Sequence, residues 1–176
     1  MVAKSIRESI PTICEIKHQQ RDVIIYTDAA TSTRVVAACV VAPANFASKA
    51  VFSELRAEIP NPLWGETLRE TTYIYGLGML AVIAIFFALC GQLRNRNVTV
   101  YIDNSDARGS LAGEHTDTKA AGQMVQLFRA HAQRLGISVW FELIPSWVNP
   151  SDTPTRGAQL PLRVKQTKVF WQFGIP

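Results

Sequence analysis

The order of apolar segments predicts an α/β domain built on a five-stranded mixed sheet that is flanked by helices. Three β-branched runs come first and lie close together, which is typical of antiparallel strands joined by short turns. Helical and strand patterns then alternate, which is typical of parallel strands with helical crossovers. The 176 residues, 48% of them hydrophobic and 18% charged, suffice for one globular domain with a core.

The first three strands are predicted at residues 22–28 (DVIIYTD), 34–41 (RVVAACVV) and 49–55 (KAVFSEL). Val, Ile and aromatic residues dominate the first two runs, and five small residues separate them, so they form a hairpin. A turn at Ala42–Asn45, which contains a proline, leads to the third strand. Residues 59–71, rich in proline, are predicted to be a loop.

Residues 72–93 are predicted to form a long helix because Ala, Leu and Met are frequent there. Residues 74–93 carry no charge, and by length alone they would span a membrane. A core helix packed on both sides is apolar all round in the same way. We favour the core helix, because glycines interrupt the run, the next strand starts four residues after it and no second span follows. We therefore expect no membrane partner.

The second half continues with a strand at 98–103 (VTVYID), a helix at 117–135 and a strand at 137–144 (ISVWFELI). The helix places a set of apolar side chains on one face, namely Ala121, Met124, Val125, Phe128, Ala132 and Leu135. Gly136 is positioned as its C-cap. A loop at 145–156 follows, and a last helix is predicted within 159–173.

The predicted domain covers residues 21–158. Residues 1–20 are interpreted as a leader or the end of a preceding segment, and 159–176 as a C-terminal tail. The net charge of +4 and a pI near 9.1 are compatible with a nucleic-acid partner. Three widely spaced cysteines show no zinc-ligand spacing, and residues 1–12 show no secretory signal, so an intracellular protein, in the cytoplasm or nucleus, is expected.

Acidic residues end two predicted apolar strands at Asp28 and Asp103, and a third, Asp152, follows the last strand and a proline-rich turn. A buried carboxylate is costly unless it is paired or bound to metal, so these positions predict a carboxylate cluster at one sheet edge. Such oxygens suit Mg²⁺ or Mn²⁺. Taken singly, each residue has a structural alternative: Asp28 in a turn, Asp103 at a helix N-cap and Asp152 in an Asx-turn.

Three motifs, YTDAA (26–30), VTVYIDN (98–104) and IPSWVNPSDTPTR (144–156), resemble those of ribonuclease H domains in retroelement and pararetroviral reverse transcriptases. The last is the most specific, because it is similar to the N-P-A-D-x-P-S-R ending of that group. The resemblance covers residues 21–157. It implies a ribonuclease H-like fold that cleaves the RNA strand of RNA–DNA hybrids with two Mg²⁺ (or Mn²⁺) ions, and a polymerase domain upstream in the native polyprotein.

By the same resemblance, Asp28, Asp103 and Asp152 hold the metals, while Asn104 and Arg156 lie near the substrate backbone. The family carries a further Glu in the first long helix, in a context similar to L-E-L-L-A-V. Here Gly78 occupies that position in LGMLAV, which removes a ligand. Three other acids, Glu66, Glu70 and Asp106, are the nearest substitutes, although Glu70 is eight residues away, about 12 Å along a helix.

The family also places a His just before the last Asp, where this chain has Trp147. We expect Trp147 to pack on the core, with stacking on nucleic acid as the alternative. The three histidines, His18, His115 and His131, are predicted to be surface residues, and His115 alone is a candidate helper. The function predicted is a ribonuclease H impaired by Gly78, and the alternative is a degenerate module that binds nucleic acid or a partner protein.

Overall fold

The computed structural model describes residues 23–44, 49–59, 73–113, 116, 118–158 and 165–168. Within them, six strands form one sheet, namely β1 (Val23–Ala30), β2 (Val35–Ala44), β3 (Lys49–Glu58), β4 (Asn97–Ile102), β5 (Ser138–Leu143) and β6 (Lys165–Lys168). Their order across the sheet is β5-β4-β1-β2-β3-β6. Strands β1, β2 and β3 are antiparallel neighbours, whereas β4 is parallel to β1 and β5 is parallel to β4. The predicted five-stranded mixed sheet is confirmed.

Two local predictions were wrong. The tail was expected to be helical, but residues 165–168 form β6, which pairs in parallel with β3. The turn expected at Ala42–Asn45 was placed too early, because β2 continues to Ala44 and Pro43 lies opposite Ala50 of β3.

In the part of the chain that the structure describes, five helices accompany the sheet: α1 (Tyr73–Ala88), α2 (Cys90–Leu93), α3 (Ser105–Ala112), α4 (Lys119–Arg134) and α5 (Asp152–Thr155). One turn of 3₁₀ helix covers Ser146–Val148. The long predicted helix is therefore divided at Leu89, which forms a turn between α1 and α2. The predicted segment 1–20 and most of the loop predicted at 59–71 lie outside the described residues.

Helix α1 is the centre of the core. It contacts β1 and β2 on one side and α3 and α4 on the other, so nearly every residue from Tyr75 to Phe86 is buried. Phe86 is fully buried and meets Phe128 of α4 edge to face, with 5.0 Å between ring centroids. This burial on all sides confirms the core-helix interpretation of the apolar run. In the part of the chain that the structure describes, no helix has the length and hydropathy needed to cross a bilayer.

Helix α4 lies on the core with the predicted face. Five of its predicted residues are buried, namely Ala121, Val125, Phe128, Ala132 and Leu135, and Met124 packs partly against them. The helix begins after Thr118, whose hydroxyl accepts a hydrogen bond from the amide of Ala121. It ends where Gly136 adopts a φ of 65°, a left-handed conformation that suits glycine, as predicted.

His131 is buried, contrary to the surface position expected. Its side chain is 6% exposed and stacks on Phe87 with 3.9 Å between ring centroids. Because arginine only donates, the Nδ1 atom of His131 accepts the 3.3 Å hydrogen bond from Arg134, while Nε2 is buried without a partner among the described residues. Burial lowers the pKa of His131, the charge of Arg134 lowers it further, and the backbone of Phe86 opposes both.

We expect the lowered pKa of His131 to make stability fall in acid. The folded state favours the neutral ring, so its contribution is complete above the ordinary pKa of about 6.5 and declines as pH falls from there to the lowered value. Thermal unfolding between about pH 8 and pH 5 should show this decline. His131→Phe keeps the stack on Phe87 and should have a shallower decline, and equal declines would contradict the assignment.

Candidate active site

Two of the three predicted aspartates lie side by side because their strands are neighbours. Strand β1 runs parallel to β4, with Thr27 opposite Ile102. Asp28 follows Thr27 within β1, and Asp103 is the first residue after β4, so both emerge at the same edge of the sheet. The two aspartates therefore lie on neighbouring strands, as expected, although β1 does not end at Asp28 but continues to Ala30.

The start of α3 explains why Asp103 is available to the site. The N-cap is Asn104, whose side chain accepts a 2.8 Å hydrogen bond from the amide of Ala107. The capping role considered for Asp103 therefore belongs to its neighbour. This leaves the Asp103 carboxylate beside the positive end of the helix without committing it to the cap.

The third aspartate is brought to the site by a polar turn. Asn149 is 4% exposed, and its side-chain Nδ2 donates to the backbone oxygen of Thr27 at 3.0 Å. Its Oδ1 accepts from both the amide and the hydroxyl of Ser151, at 3.1 and 2.6 Å. The Asx-turn considered for Asp152 is thus made by Asn149, and Asp152 becomes the first residue of α5.

We expect Asn149→Ala to lower the free energy of unfolding by about 2–6 kcal/mol, because it leaves the Thr27 carbonyl and the Ser151 hydroxyl buried without these partners at about 1–3 kcal/mol each. Urea denaturation measures the loss. Ser151→Ala is the matched control, since it removes one donor and leaves the Asn149–Thr27 bond in place, and it should cost about 1 kcal/mol. Equal losses in the two variants would contradict this account of the turn.

A second contact joins α5 to β1 directly at Asp28. The Thr155 hydroxyl donates to Asp28 Oδ2 at 2.5 Å and lies 2.8 Å from the backbone oxygen of Asp152. Thr33, in the turn after β1, donates its hydroxyl to the backbone oxygen of Thr155 at 2.6 Å. The segment that carries Asp152 is therefore attached to the β1–β2 hairpin by side-chain hydrogen bonds.

These elements surround one open, polar cavity of about 320 Å³. Its lining includes the three predicted carboxylates and three other residues predicted to matter, namely Asp28, Gly78, Asp103, Asn104, Asp152 and Arg156. The structure therefore brings together all the predicted site residues except Trp147.

The carboxylates are close enough to influence one another. Burial raises the pKa of Asp28, and the charges of Asp103 and Asp152 raise it further. Hydrogen bonds from Thr155 and from the backbone of Ala29 oppose this and favour the ionised form. Asp28 is thus a carboxylate under repulsion from its neighbours, which a bound cation would relieve.

Asp152 already has a cationic partner. The Nε atom of Arg156 donates to both of its oxygens, at 2.9 and 2.8 Å, across one turn of chain. The arginine side chain is 72% exposed, so this is a surface pair of small energetic worth that a competing ligand can displace. Arg156 lines the cavity, and it can offer its guanidinium to a phosphate when it leaves Asp152.

Gly78 has a packing role at the contact between α1 and α3. A β-carbon built at this position would lie 3.0 Å from the β-carbon of Ala107 and 3.6 Å from that of Asn104. The first distance is shorter than an ordinary contact, so a larger residue requires α1 and α3 to separate by a few tenths of an ångström. Glycine at 78 therefore permits the close approach of α1 to the start of α3.

The donor set fits Mg²⁺ or Mn²⁺ in its chemistry, because carboxylate oxygens are the ligands that these ions prefer. Asp28 and Asp103 would hold an ion, and Asp152 would join them on leaving Arg156. Among the described residues, no three acidic, histidine or cysteine side chains converge as a preformed cation cage. The arrangement therefore suits one weakly held ion better than a close pair, whose mutual repulsion needs more negative charge.

Other residues that the sequence suggests for the site either do not line the cavity or lie outside the described residues. Trp147 is 86% exposed, so the expectation that it packs on the core was wrong, although its neighbour Ser146 lines the cavity. Asp106 is exposed, accepts a hydrogen bond from Ser105 and does not line the cavity. Three further candidates, Glu66, Glu70 and His115, lie outside the described residues.

The sequence analysis did not identify Asn149, Thr155 and Thr33 as residues that assemble the site. The one sequence feature that points to them is that Asn149 and Thr155 belong to the specific NPSDTPTR motif, whereas Thr33 lies outside it. Their hydrogen bonds join residues 122 to 127 positions apart, and local patterns do not show such partners.

No protein-family model matches the chain, and no curated protein matches it in sequence. Among solved structures it is similar to ribonuclease H1 from the archaeon Halobacterium salinarum, at 14% identity over 72% of this chain and 88% of that one, with a TM-score of 0.45. It is also similar to LC11-RNase H1, isolated from compost and solved with an RNA/DNA hybrid, at 16% identity, coverages of 77% and 95%, and a TM-score of 0.49.

A third similar structure is the N-terminal ribonuclease H domain of a Mycobacterium tuberculosis protein, solved as a fusion with maltose binding protein. The identity is 11%, the coverages are 78% and 96%, and the TM-score is 0.45. At these values, the roles of individual side chains rest on the geometry described above and not on the comparisons.

Proposed function

We propose that this chain is a ribonuclease H-like domain of the reverse-transcriptase type that binds RNA–DNA hybrids and, with Gly78, hydrolyses their RNA strand weakly or not at all. The observation that carries the proposal is that Asp28, Asp103 and Asp152 all line one cavity together with Gly78. A polymerase domain upstream and an intracellular location, in the cytoplasm or nucleus, belong to the same proposal.

Divalent ions bound here would activate water and stabilise the leaving oxygen of a phosphodiester. The chain's own contribution is to hold the scissile phosphate beside the carboxylates. Arg156, on leaving Asp152, pairs with a neighbouring phosphate. The Oδ1 atom of Asn104 accepts the capping hydrogen bond of α3, so only the rest of that side-chain amide is available to the substrate. Exposed Trp147, beside cavity residue Ser146, provides a surface on which a base or sugar can stack.

A second candidate is a module that binds hybrids without cutting them. The pairing of Asp152 with Arg156 and the absence of a side chain at Gly78 favour it, since both reduce the negative charge available for ions. Both candidates bind hybrid at the same cavity. They differ in whether a carboxylate introduced at position 78 creates hydrolytic activity.

Binding tests the part of the proposal that the two candidates share. We expect a fluorescent RNA–DNA hybrid to bind the chain more tightly than duplex DNA of the same sequence, because 2′-hydroxyl groups in a wide minor groove identify the hybrid. Trp147→Ala should weaken hybrid binding by about 1–3 kcal/mol if the ring stacks on the nucleic acid. Fluorescence anisotropy measures both.

Trp140→Ala is the matched control, because Trp140 is also exposed but lies on β5 and does not line the carboxylate cavity. It should bind hybrid as the parent does. A parent that binds no hybrid would refute the proposed function, and equal losses in the two tryptophan variants would refute the role of Trp147.

A further inference from the structure

The Thr155 hydroxyl has the geometry of a support for a metal-binding carboxylate. Thr155 is fully buried, and its hydroxyl is 2.5 Å from Asp28 Oδ2 and 2.8 Å from the backbone oxygen of Asp152. A hydroxyl carries one proton, and the shorter contact with the charged acceptor takes it. Thr155 thus fixes the orientation of Asp28 and lies three residues after Asp152 in the sequence.

The position of Thr155 is itself fixed from two directions. Its backbone oxygen accepts from Thr33 at 2.6 Å, and its own helix begins after the Asn149 turn. Asp28, by contrast, is repelled by the like charges of Asp103 and Asp152. A directed hydrogen bond from a buried donor that is itself held in place fixes the Asp28 carboxylate against that repulsion.

Resting on the proposed function, we propose that Thr155 is the positioning residue of the cation site, holding the Asp28 carboxylate toward Asp103 so that the two can share one divalent ion. It does not touch the ion or the substrate. Groups that orient a ligand from behind in this way typically change metal affinity by about 10- to 100-fold when they are removed.

The test is Mn²⁺ binding to the full chain, followed by the electron paramagnetic resonance signal of free Mn²⁺. Thr155→Val keeps the shape and removes the hydroxyl, and it should weaken Mn²⁺ binding by about 10- to 100-fold. Thr155→Ser restores the donor and should return affinity to near the parent value. A merely structural role of the side chain would not predict this rescue.

Thr99→Val is the matched control. Thr99 is also a buried threonine, on β4, but its hydroxyl has no partner among the described residues and it does not line the cavity. This variant should bind Mn²⁺ as the parent does. If Thr155→Val does not fold, Thr155→Ala and Thr155→Ser provide the same comparison, with folding followed by thermal unfolding.

Each outcome is informative. Parent-like Mn²⁺ affinity in folded Thr155→Val, or a failure of Thr155→Ser to recover it, would overturn the inference and leave the proposed function intact. A parent chain that binds no Mn²⁺ but binds hybrid would overturn the inference and favour the non-cutting module. A parent chain that binds neither would overturn the proposed function as well.

Discussion

Replacing Gly78 by glutamate is expected to raise hydrolysis of the RNA strand of a hybrid by on the order of a hundredfold or more, from a very low level in the parent. The new carboxylate would join the three aspartates around the cavity and supply charge that a close pair of ions requires. Misplacing a catalytic group by about 1 Å already costs on the order of a hundredfold, so a missing ligand should cost at least that much. A labelled hybrid in Mg²⁺ or Mn²⁺ gives the rate.

Because α1 and α3 approach closely at Gly78, the Gly78→Glu substitution adds bulk at this contact as well as a negative charge. The controls separate the effect of the bulk from the effect of the charge. Gly78→Gln adds the same bulk without the charge, and its rate should stay at the parent level. Ala107→Gly, added to Gly78→Glu, removes the methyl that the new β-carbon would meet at 3.0 Å and should raise the rate further. Asp103→Asn in the Gly78→Glu chain should abolish the gain.

Two results would refute this alignment of α1 with the family's helix. One is full activity in the parent, and the other is a Gly78→Glu chain that folds yet cuts no faster than Gly78→Gln. Another acid would then complete the site. Hybrid binding with no cutting in any folded variant would support the non-cutting module.

Hybrid binding by the parent should weaken by roughly a hundredfold between about 50 and 200 mM salt if about four phosphates are contacted, because each contact releases counterions. The basic composition of the chain, with 18 lysines and arginines against 14 acids, is consistent with such contacts. Anisotropy titrations at several salt concentrations give the slope of the logarithm of the binding constant against the logarithm of the salt concentration.

Arg156→Gln should lower that slope by about 1, which corresponds to one phosphate contact. Arg94→Gln is a suitable control, because Arg94 is exposed at the end of α2 and does not line the carboxylate cavity. Binding that does not change with salt would instead indicate a protein partner for this domain.

The sheet and the two long helices could be predicted because their patterns are local. The β-branched runs of β1, β2 and β4 and the apolar face of α4 are visible in short windows of sequence, and most of their apolar residues are buried in the core. Asp28 and Asp103 followed from the same reasoning, since adjacent parallel strands end at one edge.

The remaining features depend on partners that are distant in sequence. Trp147 is exposed and His131 is buried, the opposite of what the sequence predicts for each. A single aromatic or imidazole side chain is not part of a repeating pattern, so the sequence does not show whether another element covers it. The hydroxyl contacts of Thr155 and Thr33 likewise appear only when α5 reaches the β1–β2 hairpin. The sequence predicts that Gly78 stands in place of a ligand, whereas its close approach to Ala107 is visible only in the structure.

The attachment of α5 has a consequence for how the domain opens. Neither apolar cluster among the described residues includes a residue after Phe141, so the segment that carries Asp152 contributes no side chain to them. It is held by polar contacts at Asn149 and Thr155, which exchange with water at little net free energy. This segment should therefore detach by local unfolding while the sheet stays intact, and its amides should exchange hydrogen faster than those of β1 and β4.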